Sequence, residues 1–392
     1  MDNNNFPDGF KPLTPPEQKV IDPSKNNYYN EKNPSSNKKP NKRRKPNKKK
    51  YKPLKITLLV IGVIAAGLIL ALIVYGITII SKLNTTEFTS NLSDLGIESQ
   101  GDIPKLDDST AITNIALFGV DRREKNTNGR SDAIMILSID KLHNKIKISS
   151  IMRDSYVAIE GHGKDKICHA YVYGGAKLAV KTINQNFGLD ITEYATVNFA
   201  EMAEIIDAVG GIEIEVSEAE RKDANLHMVD QVAISGKPLD EIKKAGLQTL
   251  SGMQAVAFAR IRNVGNSDFE RTDRQREVME KLFEKALKMP VTNYPNFANK
   301  ILPITETSLD LGEIIGLSSL FLRSGVAFEQ SRIPNNKDLI NGGSLYVNGT
   351  SYLNYDLKQS SQRLKAFVYD DVPANDWYSG YVKPEASQDS AA

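Results

Sequence analysis

The run TNIALFGVDRREKNTNGRSDAIMILSID, residues 113–140, holds two nearly continuous apolar stretches, 113–120 and 133–140, separated by a charged connection. Branched and aromatic side chains without polar alternation mark strands buried on both faces. KIKISSI (145–151) adds a third strand. Downstream the period changes. GGAKLAVKTINQNFG (174–188) has helical spacing and a glycine stop, YATVNF (194–199) is a strand, and AEMAEIIDAVGG (200–211) is a helix closed by glycines. GIEIEV (211–216) alternates and predicts a strand at the sheet edge, whereas 217–245 is polar, poorly patterned and expected to be a loop or excursion. A long helix is predicted over 269–289, shorter ones over 293–302 and 311–323, and a hairpin over 344–356. Alternating strands and helices predict the α/β class, with a central mixed β-sheet flanked by helices in an α-β-α arrangement.

Charge is distributed unevenly along the 392 residues. Their formal net charge is +2, yet residues 1–55 carry fifteen Lys and Arg against five Asp and Glu. That end is rich in Asn, Pro, Ser and Lys and cannot bury enough apolar surface to order itself. Its basic part, KKPNKRRKPNKKKYKPLK (38–55), reads alone as a nucleic-acid tail or as a topogenic signal. The next segment decides for the signal and against nucleic acid. ITLLVIGVIAAGLILALIVYGITII (56–80) is 25 residues without a charge, enough to cross a bilayer as a helix. The positive-inside rule then puts the N-terminus in the cytoplasm and 81–392 outside the cell membrane. The expected organisation is a disordered cytoplasmic tail (1–55), a transmembrane helix (56–80), an extracellular spacer (81–110), a folded domain (111–370) and a C-terminal tail (371–392).

Cys168 is the single cysteine, so no intramolecular disulfide is possible. It reads as a packed small residue rather than a nucleophile. Four histidines make a His-rich zinc site an unpromising reading.

FARIRNVGNSDFERTDRQRE (258–277) carries five arginines, four carboxylates and no lysine. Arginine's planar fork grips phosphate or carboxylate at two points. On a helix starting near Phe269, Val278, Met279, Leu282, Phe283, Ala286, Leu287 and Met289 form one arc. Gln275 falls within that arc and Arg271 and Arg276 at its flanks; Asp273, Glu277, Glu280 and Glu284 face water, and Arg274 could pair with Glu270 or Glu277. Inward-aimed arginines at a helix N-terminus suit an anion, although a structural carboxylate would satisfy any one of them. Further polar residues sit at strand ends: Asp121 after the first, Arg130 and Asp132 before the second, Arg153 and Asp154 after the third. Asp121 and Asp132 could share a Mg²⁺, and salt bridges would explain them as well.

Together, NIALFGVDRR, GRSDAIMILSID, ISSIMRDSYV, KICHAYVYGG, VNFAEMAEIIDAVGGIEIEV and GMQAVAFARIR…DFERTDRQRE, spanning about 113–277 in order, resemble the LytR–CpsA–Psr family of Gram-positive cell-envelope proteins. The resemblance implies a phosphotransferase that takes a glycopolymer from undecaprenyl pyrophosphate and attaches it to a muramic acid hydroxyl of peptidoglycan. It makes Asp121 and Asp132 the Mg²⁺ ligands and places Arg123, Arg130, Arg153, Arg260, Arg262, Arg271 and Gln275 around the pyrophosphate. Arg153 and Arg262 would stabilise the transition state, and Asp268 would be the base for the acceptor hydroxyl. Arg122 receives no role, and Cys168 stands where the family usually has Asn. A prenyl tunnel between helices at 174–187 and 199–209 is a further expectation. Two other readings are a non-catalytic polyphosphate- or glycopolymer-binding regulator and a lipid pyrophosphatase; a binding module has no need of two carboxylates beside its arginines.

Overall fold

The structure, a computed structural model, describes residues 84–85, 88–89, 91–97, 112–122, 128–235, 238–265, 267–318 and 325–374. The expected tail (1–55) and membrane helix (56–80) lie outside these residues, as does Arg123. Among the described residues no helix is long and apolar enough to cross a membrane.

The elements in chain order begin with strands β1 (Asn84–Thr85), β2 (Ile112–Asp121), β3 (Arg130–Asp140) and β4 (Lys145–Ile151). A small hairpin, β5 (Tyr156–Ile159) and β6 (Gly163–Lys166), leads to helix α1 (His169–Phe187), β7 (Glu193–Val197) and α2 (Phe199–Ala208). Then follow β8 (Ile212–Val216), α3 (Glu218–Ser235), β9 (Gly246–Leu250), α4 (Gly252–Ala259) and α5 (Ser267–Leu287). The chain closes with α6 (Tyr294–Ile301), β10 (Glu306–Thr307), α7 (Leu311–Ser318), β11 (Ala327–Ile333), β12 (Leu339–Val347), β13 (Thr350–Tyr355) and α8 (Leu357–Tyr369).

The central sheet has seven strands in the order β1-β10-β7-β2-β3-β4-β11. β2, β3 and β4 run as an antiparallel meander, while β7 joins β2 and β11 joins β4 in parallel. The sheet is therefore mixed, as expected. Its middle strands lack polar alternation because both faces are covered. On one face Ala116, Phe118, Ile134 and Ile136 pack with Val180, Ile183 and Phe187 of α1 and Leu364 and Phe367 of α8. On the other, Ile115, Met135, Leu137, Ile146 and Ile148 meet Phe283 and Leu287 of α5 and Leu317 of α7. Each such fully buried Ile contributes roughly 1.5–3 kcal/mol relative to an exposed one.

Two sequence expectations change here. GIEIEV does not edge the main sheet; β8 pairs antiparallel with β9 in a separate two-stranded sheet. Ile212, Ile214 and Val216 face a distinct core built with α2 to α5, while Glu213 and Glu215 face solvent. Nor is 217–245 a loop, since α3 occupies 218–235. Its pattern is weak because its inward side is partly polar. Ala224 and Met228 are fully buried, but Asp223 binds the backbone N–H of Arg262 and the side chain of Asn263.

Part of the expected spacer belongs to the domain. Leu95 is fully buried, and Phe88 lies 4.9 Å from Tyr194 between ring centroids. At the other end Asp371 pairs with Lys145 and Lys147 at 2.8 and 2.9 Å, so the first residues of the expected C-terminal tail also pack on the sheet.

Candidate active site at one edge of the sheet

Antiparallel pairing brings the end of β2, the start of β3 and the end of β4 to one edge. Asp121 is the register partner of Arg130, and Met135 that of Ser150. Asp132 therefore reaches the level at which β4 ends and the chain continues as Met152, Arg153 and Asp154. The β2–β3 register shifts between Gly119 and Val120, which leaves Asp132 without a ladder partner at a bulge beside the Asp121–Arg130 pair.

Arg153 organises this edge. Its Nη1 donates to Asp132 Oδ1 at 2.7 Å and its Nε to Asp154 Oδ2 at 3.3 Å. Lys166 Nζ lies 2.7 Å from Asp154 Oδ1. Burial works against the Arg153 charge, but Asp132, then Asp154, and also Asp268 more than offset it and raise the pKa above its ordinary value. Burial would likewise raise Asp154, yet Lys166, Arg153 and Arg271 hold it below the usual carboxylate range. The backbone carbonyl of Arg153 accepts from the Cys168 N–H at 3.2 Å, so the start of α1 pins the arginine.

Helix α5 supplies the second half. Thr272 Oγ1 donates to Met152 Sδ at 3.2 Å, seating the helix against the end of β4. Arg271 is only 4% exposed. Its Nη2 lies 3.0 Å from Asp268 Oδ1, while Nε and Nη1 have no partner among the described residues. Burial lowers its pKa to about 10; Asp268 opposes this, and Arg262 and Arg153 push the same way as burial. A buried guanidinium with two open donors, its one carboxylate opposed by two nearby arginines, can take a further anion. Asp268, 35% exposed by its side chain, stands where the cluster meets solvent.

Asp132, Arg153, Arg262, Asp268 and Arg271 thus form one electrostatic group. Arg262 is solvent-exposed on the loop after α4. Gln275 is half-buried one turn beyond Arg271. Arg130 and Asp121 are exposed at the neighbouring strand ends. Arg260 turns elsewhere, with its guanidinium 4.7 Å from the Phe199 ring centroid. Arg122 pairs with Glu306 at 2.9 Å and Glu201 at 4.0 Å, joining the end of β2 to β10 and α2.

Arg274 is buried and binds Glu220 of α3 at 2.9 Å as well as Glu270 at 3.3 Å. Glu277, Glu280 and Glu284 are half-buried rather than facing water; only Asp273 among the four is exposed. The helical wheel cannot register that α3 and β11 cover the polar side of α5. Sequence reading also missed Lys166 as the partner of Asp154. Its signal was a basic KDK run directly before the Cys168 segment.

Cys168 is buried and its thiol is pushed up to about 12, chiefly by burial and then by Asp154. It is an inert packing residue. Helices α1 and α2 bury their apolar faces in separate clusters, so they do not share the single apolar lining expected of them.

Gly129 fixes the approach of the β2 and β3 ends, because a Cβ there would sit 2.2 Å from the Asp121 carbonyl oxygen. Gly129→Ala is expected to cost about 1–3 kcal/mol, read as a lower Tm. An unchanged Tm would show that this edge yields freely.

A divalent cation has two settings to consider. Asp140, His143 and Asp371 cluster at the opposite edge, but Lys147 Nζ lies 3.1 and 2.9 Å from the two carboxylates and already neutralises them. Asp121 ends β2 and Asp132 lies at the bulge near the start of β3, so both carboxylates belong to the same end of the sheet. Arg153 engages one oxygen of Asp132 and leaves the other. This pair fits a hard cation that takes a few carboxylates with phosphate and water oxygens.

A sequence model of the LytR_cpsA_psr family matches residues 79–366. The chain belongs to the LytR–CpsA–Psr family. Among its relatives, polyisoprenyl-teichoic acid–peptidoglycan teichoic acid transferase TagT of Bacillus subtilis is 29% identical over 275 residues, 69% of this chain and 83% of TagT. TagU of Halalkalibacterium halodurans, of the same description, is 30% identical over 293 residues, 74% of this chain and 91% of TagU. The solved structure of TagT bound to LI-WTA superimposes with a TM-score of 0.54 at 25% identity, covering 67% of this chain and 91% of that one. The family match begins before β1 and runs into α8, so this LytR–CpsA–Psr domain includes the Asn84–Ile97 stretch that sequence reading set apart.

Proposed function

We propose that this chain is a cell-envelope phosphotransferase that moves a teichoic acid or related glycopolymer from polyprenyl (undecaprenyl) pyrophosphate to a muramic acid hydroxyl of peptidoglycan. The observation that carries this reading is the buried Arg271 guanidinium near Arg153, with Nε and Nη1 left open beyond its pairing with Asp268. The relatives' described activity, matched over most of their length, points to the same chemistry. Residues 56–80 then serve as the membrane anchor, with 1–55 cytoplasmic and the domain outside the cell.

Asp121 and Asp132 would hold Mg²⁺, which supplies charge neutralisation on phosphoryl oxygens when bound. Arg153 and Arg271 direct N–H groups at the same oxygens and meet the charge that develops on the departing lipid phosphate. Arg262 adds a positive charge at the solvent side. Asp268, with Oδ1 held by Arg271, accepts the proton of the acceptor hydroxyl. The acceptor oxygen bonds to the polymer-bearing phosphorus and the bond to the lipid phosphate breaks. The products are a phosphodiester and polyprenyl phosphate, and the proton passes from Asp268 to water.

The test uses full-length protein in detergent with a short-chain lipid pyrophosphate glycan, Mg²⁺ and peptidoglycan fragments. Polymer on the fragments is expected. Free polymer alone would make the protein a hydrolase, and tight binding without turnover would make it a non-catalytic binder.

Arg271→Met offers a separate check. Removing a buried, incompletely paired charge is expected to keep or raise the ligand-free Tm. It should also abolish the Tm rise that inorganic pyrophosphate gives the wild type. A pyrophosphate-dependent rise that survives in the variant would remove Arg271 from the anion site.

A further inference from the structure

Directly beside the Arg153 cluster lies a group of side chains for which the transfer chemistry has no use. The β5–β6 hairpin buries Val157 and Ile159 in the core, which by pleat alternation turns Tyr156, Ala158, Lys164 and Lys166 outward. Tyr352 of β13 packs on Tyr156 with centroids 4.6 Å apart. Lys164 and Lys166 stand 5.8 and 5.9 Å from the rings of Tyr156 and Tyr352. At the hairpin tip His162 stacks on Tyr173 at 4.0 Å, with the ring planes 6° apart. Tyr173 is nonetheless 42% exposed, and its hydroxyl donates to Asp165 at 2.7 Å, which fixes the ring. Asp165 also holds His169 at 2.8 Å.

The strip is joined to the reaction centre by covalent and polar links. The Leu353 N–H donates to the Asp154 carbonyl at 2.9 Å, and Lys166 pairs with the Asp154 carboxylate, which Arg153 also binds. From Tyr156 to Ile159 the hairpin runs about 10 Å at ~3.3 Å per residue, room for a short run of sugar rings.

We infer that the side chains around this hairpin, Tyr156, Lys164 and Tyr352 on its outer face and His162 and Tyr173 at its tip and on the Asp165 side, form the docking surface for the acceptor, a glycan strand of amino sugars bearing carboxylates; this rests on the transferase reading above. Sugar rings present polarised C–H faces that stack on the electron-rich faces of aromatic rings. Tyr173 and His162 are held rigid by stacking and by the Asp165 hydrogen bond, so little side-chain freedom is lost on binding. Lys164, exposed and set over the Tyr156 ring, complements a carboxylate. The polymer donor carries its charge as phosphate, for which the arginine cluster is the match. The lysine-and-ring strip is matched to the mixed apolar and carboxylate character of the acceptor.

The experiment titrates soluble peptidoglycan glycan fragments into the full-length protein in detergent by calorimetry, and measures the fragment KM in the transfer assay. Tyr173→Ala and His162→Ala are expected to weaken fragment affinity roughly three- to tenfold each and to raise the fragment KM equally. Binding of the lipid pyrophosphate donor should not change. Tyr173→Phe keeps the ring and should stay near wild type. Tyr346→Ala is the surface control: Tyr346 is 73% exposed but lies on the opposite face of its hairpin from Tyr352, and its loss should leave fragment binding unaltered. The inference is overturned if wild type binds no fragment, if Tyr173→Ala and His162→Ala bind it normally, or if they weaken donor and fragment alike. A wild type that binds fragments yet transfers nothing to them would instead sink the transferase reading.

Discussion

Arg153→Ala is expected to lower kcat/KM for polymer transfer roughly 10²–10³-fold, the usual cost of removing one preorganised donor to a developing anion. Two effects combine. The reacting phosphoryl group loses a guanidinium whose charge is held in place by Asp132 and Asp154. Asp132, 15% exposed by its side chain, then loses its cation and repels the incoming pyrophosphate, while Asp154 keeps only Lys166. Arg153→Lys should recover little, because a single ammonium cannot reach Asp132 and Asp154 at once while still presenting a donor to phosphate. The measurement is transfer of a labelled polymer to peptidoglycan fragments at several donor concentrations. A loss below fivefold would mean that Arg153 only braces the strand end.

Asp268→Asn is expected to cost about 10²–10⁴ in kcat, the range for removing a general base, while donor binding holds or tightens. The sign of the binding effect follows from geometry. Asp268 is the carboxylate that partly satisfies Arg271; neutralising it removes a negative charge facing an anionic ligand and leaves Arg271 more in need of one. A purely structural role for Asp268 would weaken donor binding and turnover together, so the split between kcat and donor affinity is the decisive readout. Equal losses in both would exclude the base assignment.

Much of the sheet was legible because its middle strands have covered faces on both sides, and continuous apolar runs such as 113–120 report that directly. Helix α1 was readable from Gly188, whose φ of 65° closes it. It nonetheless begins earlier than the spacing suggested, and its backbone breaks from helical geometry at Gly174 and Gly175. Helix α3 escaped detection since its inner side carries Asp223 and Asn225 in hydrogen bonds to the chain beyond. A hydrophobic period cannot register an interface made of polar contacts. β8 was assigned to the wrong sheet for a related reason: its alternation reveals one buried face but not which layer buries it.

By itself the sequence determined the class of fold, the family, and the placing of Asp121, Asp132 and Arg153 at strand ends and of Arg271 in the first turns of α5, because periodicity and turn chemistry are local properties of the chain. Which arginine is left with open donors was decided only by tertiary structure. Arg153 finds Asp132 across 21 residues and Arg274 finds Glu220 across 54, so both are satisfied, while Arg260 turns to Phe199. Arg271 alone of these is buried with two donors open, at the edge where three strands end. Partner choice between charges depends on distances through space, and those exist only once the sheet and helices have packed.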